Sequence, residues 1–188
     1  HDTGFFGGVI MMMSRRAAVL AGLAATATAG ASHARPNDPR AVTTAGPVVG
    51  RRQDGIHVFK GLRYGAPPRR FQPPEPPTPW RDPVPAFHYG PPSPQRGGEP
   101  NQSEDCLFLN VWTPGVDNGR RPVMVYIHGG AYSSGSGAHP LYDGSRLAAR
   151  GDVVVVTLNH RLNAFGYAYL ARLAGGFEDS GNVGQLGL

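Results

Sequence analysis

A glycine turn at the end of an apolar run is the chemically suggestive feature of this 188-residue chain. Tyr126-Ile127-His128-Gly129-Gly130-Ala131-Tyr132 passes from a strand-like stretch straight into small residues. Two glycines let the backbone bend sharply and approach a ligand closely, and the N–H groups so exposed can converge on one oxygen atom. Such preorganised donors stabilise a developing oxyanion, each worth roughly 2.7–4 kcal/mol. A glycine turn can also cradle phosphate, but neither G-x-G-x-x-G nor G-x-x-x-x-G-K-[ST] occurs in the chain. Taken alone, the same residues would also serve as a tight strand exit with no chemical role.

Other chemistries find less support. Cys106 is the single cysteine, which excludes an intrachain disulfide and a C-x-x-C metal or redox site. The seven histidines show no H-E-x-x-H or other close ligand spacing, so no metal and no cofactor is expected. The formal charge is +5, from 18 Lys and Arg against 13 Asp and Glu, but the arginines are scattered and do not interleave with aromatics. Nucleic-acid binding is therefore a poor reading of the charge. The neighbouring carboxylates Glu104 and Asp105 read as structural ion-pair partners of Arg70 or Arg161 and not as an acid/base dyad.

The elements that must position the turn are those of an α/β protein. Leu107–Thr113 alternates, with Leu107, Leu109 and Val111 on one face and Phe108, Asn110 and Trp112 on the other. Val123–Ile127 and Val153–Leu158 are continuous apolar runs, as expected of strands buried on both faces of a parallel sheet. Tyr142–Arg150 between them predicts a helix stopped at Gly151, giving a strand–helix–strand unit, and a second short helix is expected around Tyr167–Leu173. Ile56–Lys60 is a short strand candidate. From Ala66 to Pro100, 13 of 35 residues are proline, which predicts extended loop and no sheet. Phe71, Trp80, Phe87 and Tyr89 would plaster that loop onto a core.

The first 34 residues read as an address. Arg15-Arg16 precedes an apolar run from Ala17 to Ala31 and small residues at Ala29-Gly30-Ala31 or Ser32-His33-Ala34, the order of an export signal. The run is short of the roughly 20 residues that span a bilayer, so no stable membrane anchor is expected. Ser14-Arg15-Arg16 with an Ala/Gly-rich core is similar to a twin-arginine signal, which implies an exported protein. Residues 1–10 look like upstream read-through before Met11, Met12 or Met13.

Ser103-Glu104-Asp105-Cys106-Leu107-Phe108-Leu109-Asn110-Val111-Trp112 resembles the signature of type-B carboxylesterases, the cholinesterase-like and para-nitrobenzyl-esterase-like branch of the α/β-hydrolases. Four further segments agree in the family's order: 46–52, 59–77, 125–137 and 153–167. The resemblance implies an incomplete, N-terminal part of an α/β-hydrolase fold over residues 35–188, with a mixed and mostly parallel sheet. It implies carboxylic esters as substrates and acyl transfer to water as the reaction. By position, the oxyanion donors would be the amides of Gly130 and Ala131, with Gly129 supplying the bend. No G-x-S-x-G occurs, since Gly135-Ser136-Gly137 lacks the spacing. The family's order is Ser, acid, His, so all three are expected beyond Leu188 and the chain alone is expected to be inactive. His128 then reads as a turn residue bonded to backbone.

Two departures from the family pattern stand out. A cysteine expected in the loop corresponding to Tyr89–Gln95 is missing, which leaves Cys106 as a free thiol. The arginine of the Asn159-His160-Arg161-Leu162 segment would lose its acidic partner, whose position holds Gly187. A non-catalytic binding relative and a truncated product without function remain alternative readings of the same sequence.

The export reading has a direct test. Changing Arg15→Lys and Arg16→Lys together is expected to retain the protein in the cytoplasmic fraction. Undiminished export of the double variant would refute a twin-arginine route.

Overall fold

The computed structural model describes residues 34–97 and 99–188. The export-signal reading of residues 14–34 falls almost entirely outside them. Two sheets make up the described chain. The smaller has the order β1 (Arg40–Val42), β2 (Pro47–Val49) and β5 (Val84–Pro85). The larger runs β3 (Arg51–Gln53), β4 (Ile56–Arg63), β6 (Phe108–Thr113), β8 (Val154–Leu158) and β7 (Val123–Ile127).

Local sequence explains the large sheet's construction. β3 and β4 form a hairpin across Asp54-Gly55, both at positive φ (50° and 82°). That is the conformation that a two-residue turn needs to match strand twist. β4 pairs antiparallel with β6 and kinks between Phe59 and Leu62. Gly61 sits in this bulge at φ 70°, where a Cβ would lie 2.3 Å from the His88 carbonyl oxygen. β6 pairs antiparallel with β8, and β8 pairs parallel with β7. The sheet is mixed, as expected, but within the described residues its parallel component is this one pairing.

The connection from β7 to β8 contains a 3-10 turn at Pro140–Tyr142 and helix α1 (Ser145–Gly151). α1 begins three residues later than the sequence predicts, because Pro140 closes the preceding turn and the Asp143 carboxylate accepts from the Ser145 amide at 2.9 Å. Its Ala148 is fully buried with Ile56, Val58, Trp112 and Val155 in the main core. A second cluster, Val48, Phe59 and Ala86, fills the space between β4 and the small sheet.

The proline-rich stretch docks on this core as anticipated, apart from the two-residue β5. Trp80 donates its indole N–H to Pro47 O at 2.8 Å, and Phe71 stacks on Phe165 at 6.4 Å. The second helix corrects the sequence reading: α2 spans Asn163–Tyr167, and the predicted helix at Tyr167–Leu173 is absent. Ala168 turns extended (φ −78°, ψ 117°), and Leu173 is exposed, so a helix there would have no apolar face to bury.

β7 reads in the sequence as a strand buried on both faces of a complete sheet, with a bare face and an unpaired edge where covering elements are lacking. Among the described residues all five positions are exposed, from 43% at Tyr126 to 61% at Val123. Within them β7 is the edge of the sheet, and α1 covers β6, β8 and β4. An apolar edge strand is a template for pairing with another chain. The 188-residue chain is therefore expected to self-associate, and Val125→Lys to raise its monomer fraction in size-exclusion chromatography with light scattering. An unchanged elution profile would count against β7 as the associating edge.

Candidate oxyanion turn

The chain leaves β7 at Ile127 and turns over the next few residues. Gly130 has φ 124°, and a Cβ there would lie 1.9 Å from the Ser134 carbonyl oxygen, so the position admits only glycine. Ala131 and Tyr132 follow at φ 51° and 61°, two successive left-handed residues of the kind that persists only where surroundings over-determine it. The bend thus falls at Gly130–Tyr132. Gly129, expected to supply it, instead has open space where a side chain would be.

Several bonds hold these conformations. Gly130 O accepts from the amides of Ser133 (3.0 Å) and Ser134 (3.2 Å) and from the Ser133 hydroxyl at 2.9 Å. Tyr132 O accepts from the Asn163 amide at 2.9 Å. The amides of Gly130 and Ala131 have no acceptor among the described residues. Gly129 and Ala131 line a cleft of about 390 Å³ shared with His128, Tyr132, His160 and Tyr167. Two unpaired donors beside a cleft are what oxyanion stabilisation requires.

The far end of the loop is pinned to the sheet through one peptide. Gly137 O accepts from Thr157 Oγ1 at 2.7 Å and Asn110 Nδ2 at 3.3 Å. Gly137 N–H donates to Asn159 Oδ1 at 2.7 Å, while Asn159 Nδ2 reaches Pro91 O at 2.9 Å. Gln95 adds a reciprocal pair with Gly135, accepting from its amide at 2.7 Å and donating to its carbonyl at 2.9 Å. Sequence reasoning did not single out Thr157, Asn159 or Gln95. The available signal was polar residues at inward positions: Asn110 on the face of Trp112, and Thr157 within an otherwise apolar run.

His128 behaves as the sequence suggests, its Nδ1 lying 2.8 Å from Gly129 O. The carbonyl can only accept, so Nδ1 carries the proton. The Glu104–Arg70 pair forms as expected, with contacts from 2.6 to 2.9 Å. Asp105 departs from expectation and takes a two-point contact with Arg63 at 2.6 and 2.7 Å. Arg63 lies closer because its β4 position stacks its guanidinium on Phe108, 4.5 Å from the ring centroid. Arg161 meets no carboxylate among the described residues. Its guanidinium donates to Gln72 O at 2.8 Å and Val183 O at 2.9 Å, its Nε is buried without a partner, and burial lowers its pKa.

Cys106 is a free, buried thiol. Burial, opposed in part by the Ser93 hydroxyl, pushes its pKa up to about 11. No group of three or more His, Cys, Asp or Glu among the described residues could hold a metal ion. No helix among them is long and apolar enough to cross a membrane.

The profile of the carboxylesterase family matches residues 37–186. The chain belongs to the carboxylesterase family, in its type-B branch. It is 45% identical over 155 residues to the para-nitrobenzyl esterase of Bacillus subtilis (strain 168), covering 77% of this chain and 31% of that protein. It is 41% identical over 168 residues to the acetylcholinesterase of Electrophorus electricus, covering 77% of this chain and 26% of the relative. The crystal structure of Geobacillus stearothermophilus carboxylesterase EST55 superposes with a TM-score of 0.76 at 42% identity, covering 79% of this chain and 32% of that one. The carboxylesterase segment thus spans about a third of the length of the relatives it matches. The fold is the corresponding part of an α/β-hydrolase.

The pinned peptide yields a prediction. Thr157→Val keeps the volume but deletes the hydroxyl that donates to Gly137 O, leaving the longer Asn110 contact. The expected cost is about 1–3 kcal/mol, read from urea unfolding. A loss below the error of that measurement would remove Thr157 from the clamp.

Proposed function

We propose that this chain supplies the oxyanion-hole turn of an exported serine carboxylesterase. The amides of Gly130 and Ala131 would bind the oxygen that becomes negative when a serine attacks the carbonyl carbon of an ester. The observation that carries this reading is the pair of unpaired amides, held in left-handed backbone beside a cleft at the C-terminal end of a parallel-paired strand. Family membership supports ester hydrolysis as the chemistry. The nucleophile, acid and base are not among these 188 residues, which hold no G-x-S-x-G. Without a Ser–His pair there is no activated nucleophile, so the turn works only beside a segment that provides one. Export rests on the order of residues 14–34 and on its own substitution test.

Donors of this type act differentially. The carbonyl oxygen of the ground state accepts weakly, whereas the tetrahedral oxyanion draws both amides strongly, so their contribution falls on the barrier. The two amides are fixed before substrate arrives and need no reorganisation.

The test is a chimera in which residues 37–186 replace the matching third of the Bacillus subtilis para-nitrobenzyl esterase. It is expected to hydrolyse p-nitrophenyl acetate, while the 188-residue chain alone is expected to match a heat-treated control. Gly130→Ala in the chimera forces the turn off the Ser134 carbonyl and is expected to lower kcat by about 10²–10³. Full activity in that variant, or turnover by the chain alone, would overturn the proposal.

A further inference from the structure

The wall of the cleft beside the glycine turn carries two stacked imidazoles, His128 and His160, with centroids 4.7 Å apart and planes 20° from parallel. We propose that His160 is a positioning residue of the oxyanion turn, acting through the stacked His128 ring, and that it performs this role only while its own imidazole is neutral.

One hydrogen bond fixes the His128 tautomer. His128 Nδ1 lies 2.8 Å from Gly129 O, which can only accept, so this ring carries its proton on Nδ1 and leaves Nε2 as a bare lone pair. His160 Nδ1 lies 3.2 Å from Arg161 O. His128 Nε2 is buried with no hydrogen-bond partner. The His128 ring is confined on its other side, because a Cβ at Gly135 would lie 2.4 Å from its Nδ1. His160 therefore forms the second wall of a slot that holds His128 beside Gly129 O, the carbonyl next to the Gly130 donor.

A second proton on the His160 ring breaks the arrangement. It would set a cation face-on against the neighbouring His128 ring. The residues facing the pair offer no compensation. The Tyr167 hydroxyl lies 3.4 Å from His160 Nδ1, and Tyr132 packs on Tyr167 with centroids 5.0 Å apart. The Arg161 guanidinium is directed at Gln72 O and Val183 O. Gln185 and Leu188 complete the cleft wall, and the chimera, which takes residues 37–186, carries no Leu188 carboxylate. No aspartate or glutamate side chain among the described residues faces either ring. Both are more than nine-tenths buried, at 6% and 3% exposure. Burial first, and then the charge of His128, hold the His160 pKa below the ordinary imidazole value.

The sign follows. Above about pH 6.5, the value of an unperturbed imidazole, folded and unfolded chains are both neutral at His160. Below it the unfolded state takes up a proton that the native stack resists, so the native turn loses stability as pH falls towards the lowered native pKa.

The inference rests on the oxyanion reading, and its test is separable from that of Gly130→Ala. In the chimera, the pH profile of kcat/KM is measured with His160 and with His160→Phe, which stacks but cannot titrate. The ratio of the two profiles cancels the ionisation of the catalytic histidine common to both. The ratio is expected to be flat above neutrality and to fall on the acid side by up to about tenfold per pH unit for the His160 form. A ratio flat throughout would overturn the proposal, even in a chimera where Gly130→Ala behaves as expected. His160→Gln provides a second non-titrating variant. The Cε1–H resonance of His160 in the unsubstituted chimera provides a readout free of both: titration below 6.5 that moves the Gly129 and Gly130 amide signals supports the proposal, and titration that leaves those amides unmoved refutes it.

Discussion

The backbone of Gly137 is the constraint on which the site depends. Its carbonyl is bonded by Thr157 and Asn110, and its amide by Asn159. Three side chains from β6, β8 and the residue after β8 thus hold one backbone unit. Glycine is required there, because a Cβ would lie 2.8 Å from the backbone of Leu158. The segment that leaves the sheet at Ile127 is therefore returned to it within ten residues. A loop fixed at both ends has few conformations open to it, and this is what lets Ala131 and Tyr132 remain left-handed. The bonds lie inside the protein, where a satisfied polar network is strong and a broken one expensive.

The proline-rich stretch belongs to the same construction. Proline denies the stretch a ladder of its own, so its residues reach outward for partners. Gln95 substitutes for a neighbouring strand by pairing with both polar groups of the Gly135 peptide. The Ser93 hydroxyl accepts from the Leu162 amide at 3.0 Å, and Pro91 O accepts from Asn159 Nδ2. The loop anticipated as packing against a core is also a scaffold for the turn. Ser93 interacts with Cys106, whose thiol stays protonated and inert at neutral pH because it is buried.

Much of this was legible in the residues. The α/β class, the parallel pairing of two apolar runs and the location of the glycine turn follow from periodicity and small-residue placement. The family is carried by the segment around Cys106. What was illegible depends on tertiary context. Arg63 took Asp105 from Arg70 and Arg161 because Phe108 holds its guanidinium in place, a stacking that no spacing rule encodes. The bend moved from Gly129 to Gly130 because Ser134 O occupies the space that distinguishes two otherwise identical glycines. α2 starts at Asn163 because the preceding residues are fixed to Ser93 and Val183 by bonds across 69 and 22 positions.

The edge position of β7 and the polar clamp on Gly137 bear on one another. A strand with helices on both faces and partners on both sides would hold its exit turn by burial alone. β7 has a single ladder, five residues paired with β8, and its side chains contribute little burial. Precision at Gly130 and Ala131 must then come from hydrogen bonds, which fix direction where apolar contact fixes only proximity. All of those bonds originate within this chain. Among the described residues these bonds fix the direction of the turn at Gly130 and Ala131, which is the property that the proposed oxyanion role requires.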